Sequence, residues 1–263
     1  MNDSIFLFGI RIDRINRKFA VEKISEWLHA EEKPCKYVVT PNVDHIVRLD
    51  TSTEFKNTYE HASLVLTDGR PLILASRLLG SPLPETVPGS DLVPLLFTHI
   101  AETWNRPVGV FLLGAGPGIA ERAEDRIQKT WSNVKIVGTY SPPFGFEQNA
   151  KECTEICDRI SHVNTELLVI GLGSPKQELW IEKYAPLLPV KVALCVGATI
   201  DFLAGEKKRA PKWIQSIGLE WLHRMLSEPR RLAGRYAKDA IIFPRLFFRE
   251  WKLSRKSSNI ARL

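Results

Sequence analysis

Asp68 is the residue that this sequence places best to act as a general base. It follows the apolar run 64–67 and precedes a glycine, so its carboxylate is expected at a strand end, where it can take a proton from a hydroxyl group. Thr40 and Asn42 stand where the run 37–40 passes into a turn, and their neutral donors and acceptors could hold a sugar. Structural explanations stay open, because Asp68 can cap the next helix and Asn42 can form an Asx-turn.

A glycine-rich segment, 114–118, is suited to binding a diphosphate. Gly114 and Gly116 follow an apolar run and precede a helical one, so backbone N–H groups could receive phosphate oxygens at the positive end of a helix. The dinucleotide fingerprint fails at its third glycine, where Ile119 stands, and this argues against an NAD enzyme. A tight turn without a ligand is the alternative.

Two further segments carry polar groups at expected strand ends. Gly171 begins a segment that places the Gln177 amide at a helix start, near an anionic or hydroxylated ligand. Asp201 is expected to end the last strand, where it could accept a hydrogen bond from a base or a sugar hydroxyl, or fix the loop 197–205. No DxD pair occurs and the histidines show no metal-ligand spacing, so neither a metal nor another cofactor is expected.

Without a metal, the charge of a leaving diphosphate would have to be met by Arg or Lys. Arg224, Arg230, Arg231 and Arg235 have near-helical spacing, and guanidinium groups suit phosphate oxygens. Solvated charges on an exposed helix face are the alternative. Arg224, Arg231 and Arg235 are the candidates for diphosphate binding.

The elements that must position these residues follow from the alternation of short apolar runs with longer amphipathic stretches. This pattern predicts an α/β fold, a mostly parallel sheet with helices on both faces, whose ligand lies beyond the carboxyl ends of the strands. Strands are predicted at 5–8, 37–40, 64–67, 108–113, 134–137, 167–170 and 192–196. Helices are predicted at 20–29, 71–79, 91–103, 119–131, 149–161 and 177–184, with Ser90 and Asn149 as N-caps.

Positive charge is concentrated at one end of the chain. Residues 207–263 contain fifteen Lys and Arg against four Asp and Glu, a net charge of +11, and the total of +6 leaves −5 for residues 1–206. A break in composition near 206–211 divides the chain into a core, 1–206, and a C-terminal appendage of two or three helices, 207–263. Such a basic segment requires an anionic partner, either phospholipid or nucleic acid, and its Trp and Phe content favours a bilayer interface.

The remaining sequence gives no sign of a membrane span. No apolar run approaches the roughly 20 residues that cross a bilayer. Residues 1–4 lack the basic start and apolar core of a signal peptide. We expect a cytoplasmic protein that attaches to the membrane from its inner side.

Several motifs in a fixed order resemble the bacterial WecG/TagA/CpsF glycosyltransferase family over most of the chain. They are Thr40-Pro41-Asn42, Thr67-Asp68-Gly69, Pro88-Gly89-Ser90-Asp91-Leu92, Gly171-x-Gly-Ser-Pro-Lys-Gln-Glu and Arg209-Ala210-Pro211…Gly218-Leu219-Glu220-Trp221…Glu228-Pro229-x-Arg231.

The resemblance implies an inverting, metal-independent transfer of a sugar from a UDP-sugar to a polyprenyl-diphosphate-linked sugar, in the synthesis of cell-surface polysaccharide. It also implies a Rossmann-like core and an appendage that touches the membrane of the bacterial cell and completes the site. By motif, Asp68 resembles the general base, Thr40 and Asn42 resemble sugar-pocket residues, Gln177 and Asp201 resemble donor-site residues, and Arg224, Arg231 and Arg235 fall where arginines reach the diphosphate. A uracil contact by Tyr140 and a homo-oligomer are additional predictions.

One departure from the family pattern concerns the donor sugar. Members that transfer N-acetylmannosamine often carry an Arg just before the Val-x-Gly-x-Asp-Leu segment, and Thr86 stands there in this chain. The task of that Arg would be vacant or taken by Arg70, Arg77 or the appendage. The departure favours glucose as the transferred sugar, with N-acetylmannosamine or its uronic acid as the alternative.

Two other functional classes stay open. A nucleic-acid binder would use the same basic appendage, but the sequence has no recognised binding motif, so no nucleic-acid partner is expected. A non-catalytic membrane scaffold would turn over no UDP-sugar and would be indifferent to replacement of Asp68.

Overall fold

The chain forms a six-stranded parallel sheet with helices on both faces, preceded by a two-stranded hairpin. The computed structural model describes residues 4–31 and 34–260, and for residues 212, 216, 217 and 256–260 the backbone alone. The strands are β1 (Ser4–Leu7), β2 (Ile10–Asp13), β3 (Lys36–Val39), β4 (Leu64–Val65), β5 (Val108–Gly114), β6 (Val134–Tyr140), β7 (Leu167–Gly171) and β8 (Val192–Cys195).

Twelve α-helices occur in the described residues. They are α1 (Arg17–His29), α2 (Val43–Leu49), α3 (Thr53–Glu60), α4 (Arg70–Leu78), α5 (Gly89–Thr103), α6 (Ile119–Thr130), α7 (Ala150–Ser161), α8 (Lys176–Tyr184), α9 (Thr199–Ala204), α10 (Lys212–Ile217), α11 (Glu220–Ser227) and α12 (Pro229–Ile260).

The sheet has the strand order β4-β3-β8-β7-β5-β6, and every neighbouring pair is parallel. Successive side chains of a strand point to opposite faces. Val39 therefore packs into the core cluster that holds α2, α3, α4, α7 and α8, whereas Val38 packs into the cluster that holds α1, α5, α6 and α9. Because all six strands run the same way, their carboxyl ends share one edge of the sheet.

The predicted α/β fold is confirmed, and six of the seven predicted strands belong to the parallel sheet. The exception is the run 5–8, which was expected in the sheet and instead pairs with β2 as an antiparallel hairpin. Its two turn residues, Phe8 and Gly9, have φ of 53° and 78°. Such primed turns usually carry Asn-Gly or Asp-Gly, so Phe-Gly gave no hairpin signal.

Helix starts were predicted with mixed success. The Asn149 side chain accepts hydrogen bonds from the first backbone N–H groups of α7, which confirms it as an N-cap. Ser90 is not an N-cap, because α5 already begins at Gly89 and is capped by Pro88. A Cβ on Gly89 would lie 2.5 Å from Val196, so this helix start packs against the end of β8 only because it lacks a side chain.

The C-terminal residues form α10, α11 and α12, which confirms the expected two or three helices. The longest, α12, packs against α2, and its buried Leu246 belongs to the core cluster that holds Val39. Arg249 forms an ion pair of 2.6 Å with Asp50 of the core. The ends of the two predicted units, residues 1–3 and 261–263, lie outside the described residues. Within the described part of the chain, no helix has both the length and the hydropathy that a membrane span requires.

Candidate active site

A cavity of about 890 Å³ lies between the β3 and β4 end of the sheet edge and the C-terminal helices. We call its two sides the core wall and the arm wall. The core wall includes Asn42, Asp44, Asp68, Arg70, Thr86 and Asp91, together with Arg17 of α1. The arm wall includes Arg209, Glu220, Trp221, Arg224, Arg235, Tyr236, Asp239 and Phe243. The predicted base and two of the predicted arginines thus share one cavity.

Asp68 lies on the floor of the core wall, at the turn between β4 and α4. The backbone bond from its N–H to the Pro41 carbonyl, 2.8 Å long, ties this turn to the one that follows β3. The helix after it is capped by Gly69, with φ of 98° and no side-chain bond, so the Asp68 carboxylate does not cap α4. The helix-capping explanation of Asp68 is therefore wrong, and the residue lines the cavity.

Burial raises the pKa of Asp68 to about 6. The neighbouring Arg224 and His45 lower it, while Glu220 and Asp91 add to the rise. A carboxylate with a pKa near the working pH is suited to accept a proton and release it again. The arm wall contributes directly to this tuning, because Arg224 is the largest charge acting on Asp68.

Thr40 and Asn42 are both held by structural hydrogen bonds. The Thr40 hydroxyl is buried and donates to the Cys195 carbonyl at 3.2 Å, which bridges β3 and β8. The Asn42 side chain caps α2 by accepting from the His45 backbone N–H, while the His45 ring bonds back to the Asn42 N–H. Asn42 also lines the cavity, whereas Thr40 does not. Their predicted sugar contacts remain predictions.

Two of the three predicted arginines reach the cavity. Arg224 and Arg235 line the arm wall, and Arg235 lies 3.9 Å from Asp44 across it. Arg231 is not part of the lining and forms an ion pair of 2.6 Å with Glu228. The three arginines do not share one helix, because Arg224 lies on α11 whereas Arg231 and Arg235 lie on α12. Of the two on α12, Arg235 alone lines the cavity.

The predicted donor-site glycines lie further along the same edge of the sheet. Gly114 ends β5 and pairs with Gly171 at the end of β7, and a Cβ on Gly114 would lie 2.6 Å from the Gly171 backbone. Close packing therefore accounts for Gly114, and for Gly171 as well, whose added Cβ would lie 2.8 Å from the Gly197 carbonyl oxygen. In the strand order, β5 is three positions from β3, which at the usual spacing is about 14 Å. None of Gly114, Gly116, Tyr140, Gly171, Gln177 and Asp201 lines the cavity.

The polar donor-site candidates have partners of their own. Gln177 is buried, donates to Glu178 at 2.7 Å and accepts from the Gly197 N–H at 3.2 Å. The Tyr140 hydroxyl donates to Glu152 at 2.6 Å. Asp201 does not end a strand, because the chain turns at residue 197 and Asp201 lies in the first turn of α9. Its carboxylate pairs with Lys207 at 3.6 Å, and its carbonyl accepts two backbone bonds of the loop that follows.

Comparison with known proteins decides the family. The model of the glycosyl transferase WecG/TagA/CpsF family matches residues 5–257. The chain belongs to this family. It is therefore a glycosyltransferase, and the cavity described above is its candidate active site.

Similar members of this glycosyltransferase family share one name. An N-acetylglucosaminyldiphosphoundecaprenol N-acetyl-beta-D-mannosaminyltransferase of Bacillus spizizenii is 28% identical over 206 residues, which are 78% of this chain and 77% of that enzyme. The enzyme of the same name from Staphylococcus aureus strain MRSA252 is 27% identical over 228 residues, 86% of this chain and 85% of its own.

The cavity of this WecG/TagA/CpsF member contains an arginine that the sequence did not reveal. Arg17 of α1 donates to the Thr86 carbonyl at 2.9 Å and to its hydroxyl at 3.3 Å. A guanidinium group thus stands beside the position where the family Arg was expected. From the sequence, Arg70, Arg77 and the appendage were the candidates to replace the family Arg at Thr86. Nothing in the sequence pointed to Arg17, which is far from Thr86 along the chain. Of those, Arg70 does line the cavity.

Asp91 joins the two walls. Its carboxylate pairs with Arg17 at 3.3 Å on the core side and with Arg209 on the arm side. Arg209 lies 3.6 Å from Glu220 at the start of α11. Asp91 and Arg209 both belong to motifs that carried the family resemblance, but only the structure shows that they are bonded to each other.

Proposed function

We propose that this glycosyltransferase transfers N-acetylmannosamine from a UDP-sugar to a polyprenyl-diphosphate-linked N-acetylglucosamine, with inversion in a single displacement. The observation that carries the proposal is the Asp68 carboxylate, with a pKa of about 6, in one cavity with Arg224 and Arg235. A proton acceptor beside fixed cations is what glycosyl transfer to a hydroxyl with loss of a diphosphate requires.

In the proposed reaction, the Asp68 carboxylate removes a proton from the acceptor hydroxyl as its oxygen attacks the anomeric carbon of the donor. The bond between that carbon and the diphosphate oxygen breaks, and UDP leaves with the bonding electron pair. Arg224 and Arg235 stabilise the negative charge on the departing diphosphate. The proton then passes from Asp68 to water. The cations of this step are guanidinium groups, so we expect activity to persist in EDTA.

The donor would extend along the sheet edge. The N-cap of α6 is Gly118, which has no side chain to cap the helix, and the Ile119 N–H already donates to the Gly116 carbonyl at 3.1 Å. The N–H groups that follow in the first turn are the ones that we expect to receive phosphate oxygens. The segment 114–118 is therefore our proposed contact for the nucleotide part, with Tyr140 next to it as the uracil contact. This places the nucleotide about three strand spacings, or about 14 Å, from the β3 end of the cavity.

N-acetylmannosamine replaces glucose as the proposed sugar for two reasons. The preference for glucose depended on the missing Arg at Thr86, and the Arg17 guanidinium stands beside that position. The relatives are named as N-acetylmannosaminyltransferases, so they do not support a glucose donor.

We further propose that the appendage binds the anionic inner surface of the bacterial plasma membrane. Exposed apolar side chains accompany its positive charge, and three of them, Leu226, Ile241 and Phe248, are 58–70% exposed. Apolar and basic groups on one helical surface suit a bilayer interface. The lipid-linked acceptor would then reach the cavity from the side of the arm wall.

The test is mass spectrometry of the products formed from a short-chain polyprenyl-diphosphate-N-acetylglucosamine and a panel of UDP-sugars, with UDP-N-acetylmannosamine and UDP-glucose as separate arms. We expect a mass gain of one N-acetylhexosamine residue from wild-type protein and from Asp158→Ala, a control on the exposed surface of α7. Asp68→Ala should give no product while it still binds UDP. A mass gain with UDP-glucose alone would overturn N-acetylmannosamine as the donor sugar. Turnover by Asp68→Ala at the wild-type rate would overturn the role of Asp68 as the base.

A further inference from the structure

One face of α12 is turned to the cavity. Arg235, Tyr236, Asp239, Ala240 and Phe243 line the arm wall, with separations of one, three, one and three residues. This is the spacing of a single helical stripe. Asp239 is the one acid among the cavity-lining residues of α12 in the described part of the chain.

Asp239 is buried and has no hydrogen-bond partner. Only 4% of the residue is exposed, and neither carboxylate oxygen bonds to any described residue. The nearby cations are shared with Asp44, which bonds to Arg48 at 3.0 Å and lies 3.9 Å from Arg235. Two acids on facing helices thus compete for the same guanidinium groups.

A buried carboxylate without partners is unfavourable, because the water that solvated it has been lost and nothing replaces it. Burial and the neighbouring Asp44 raise the pKa of Asp239 to about 6, although Arg235, Arg48 and Lys238 act in the opposite direction. Folding gains nothing evident from this side chain. A group with unused acceptors in a cavity wall is instead explained by a ligand that donates to it.

We propose that Asp239 binds a hydroxyl group of the acceptor sugar. The inference rests on the proposed function. A carboxylate repels a diphosphate but accepts hydrogen bonds from sugar hydroxyl groups, so Asp239 belongs to a sugar-binding part of the cavity. We assign the sugar to the acceptor because Asp239 lies on the arm wall, the side from which the lipid-linked acceptor is proposed to enter, whereas the proposed nucleotide contacts lie outside the cavity.

The test is isothermal titration calorimetry with a short-chain polyprenyl-diphosphate-N-acetylglucosamine, which measures binding without turnover. UDP is titrated separately. We expect Asp239→Asn to weaken binding of the acceptor analogue at least about tenfold, as loss of a charged acceptor predicts, and to leave UDP affinity within about twofold. Glu250→Gln, on the same helix but outside the cavity lining, is the matched control and should bind both as wild type does.

A thermal melt separates binding from structure. Asp239→Asn should unfold at the same temperature as wild type or higher, because it removes an unpaired buried charge. A lower unfolding temperature, or equal binding of the analogue by wild type and variant, would overturn the inference and leave the proposed function standing. Weaker UDP binding by the variant would indicate that Asp239 contributes to donor binding, and would also overturn the inference. Failure of wild-type protein to bind the analogue at all would overturn both proposals.

Discussion

The two walls of the cavity satisfy their polar groups in different ways. On the core wall, the Asn42 side chain caps a helix, and two residues before it the Thr40 hydroxyl bridges two strands. On the arm wall, both oxygens of Asp239 and the Nε atom of Arg235 are buried without a partner. None of the core-wall side chains named above has a buried polar atom without a partner, whereas the arm wall has such atoms in Arg209, Arg235 and Asp239.

This difference indicates where substrate binding energy acts. Groups fixed by the fold are preorganised and need no rearrangement when charge develops in the reaction. Unpaired groups favour the bound state, because binding relieves an unfavourable burial. Asp91, bonded to both Arg17 and Arg209, holds the two walls together. We infer that the core wall holds the reacting groups in place. The unpaired polar groups of the arm wall find partners only when substrate binds.

The largest expected effect comes from removing the arm cation that acts on Asp68. Arg224→Ala should lower kcat about a hundredfold, because it removes the positive group that we propose stabilises the departing diphosphate. Arg230→Ala removes the same charge from an exposed position of α12 outside the cavity, and should retain activity within about twofold, as surface charges usually do. Steady-state kinetics of the two variants checks this. An equal loss of kcat in both variants would mean that the appendage contributes through its net charge and not through the position of Arg224.

The fold was predictable from the sequence because the parallel strands are continuous apolar runs. Buried strands such as 108–113 and 167–170 need no alternation of polar residues, and the helices between them are amphipathic. The short helices α2 and α3 were missed. Each has no more than eight residues, and α2 follows directly on a strand and a proline that read as one long turn.

The candidate site was predictable only where one element carries it. Asp68 follows its own strand, and its position is visible in the local pattern. Arg17 and Thr86 are 69 residues apart, and their contact depends on how α1 packs beside the segment before α5. The sequence also cannot show that the Asp239 carboxylate lacks a hydrogen-bond partner, because this depends on the ion pairs that Asp44 forms on the facing helix.

A smaller effect is expected from pH. Asp68 must be ionised to accept a proton, so kcat/KM should fall about tenfold per unit as the pH drops below about 6, the pKa of this carboxyl. The profile is best measured in the Asp239→Asn background, which removes the other cavity carboxyl whose pKa is about 6. Arg224 lowers the pKa of Asp68, so Arg224→Ala should move the acid limb to higher pH and Arg230→Ala should not. An acid limb that stays in place would show that the arm cation does not act on the core base.

The smallest expected effect tests whether the outer surfaces of the appendage and the core also differ, in their binding to membranes. Leu226 on α11 and Leu187 on the core are 70% and 71% exposed, so they form a matched pair. If the appendage inserts apolar side chains into a bilayer, Leu226→Ser should weaken binding to anionic liposomes about fivefold, the effect of losing roughly 1 kcal/mol of apolar burial.

Leu187→Ser should bind these liposomes as wild type does, because the core carries no excess positive charge to bring that surface to the membrane. Cosedimentation at two salt concentrations measures both variants and separates the electrostatic contribution, which salt screens, from the apolar one, which it does not. Equal binding by the two variants at both salt concentrations would leave attraction by the net charge of +11 as the whole basis of attachment. In that case the appendage would hold the enzyme near the membrane without inserting into it. The sugar of the lipid-linked acceptor would then have to extend out of the bilayer to reach Asp68.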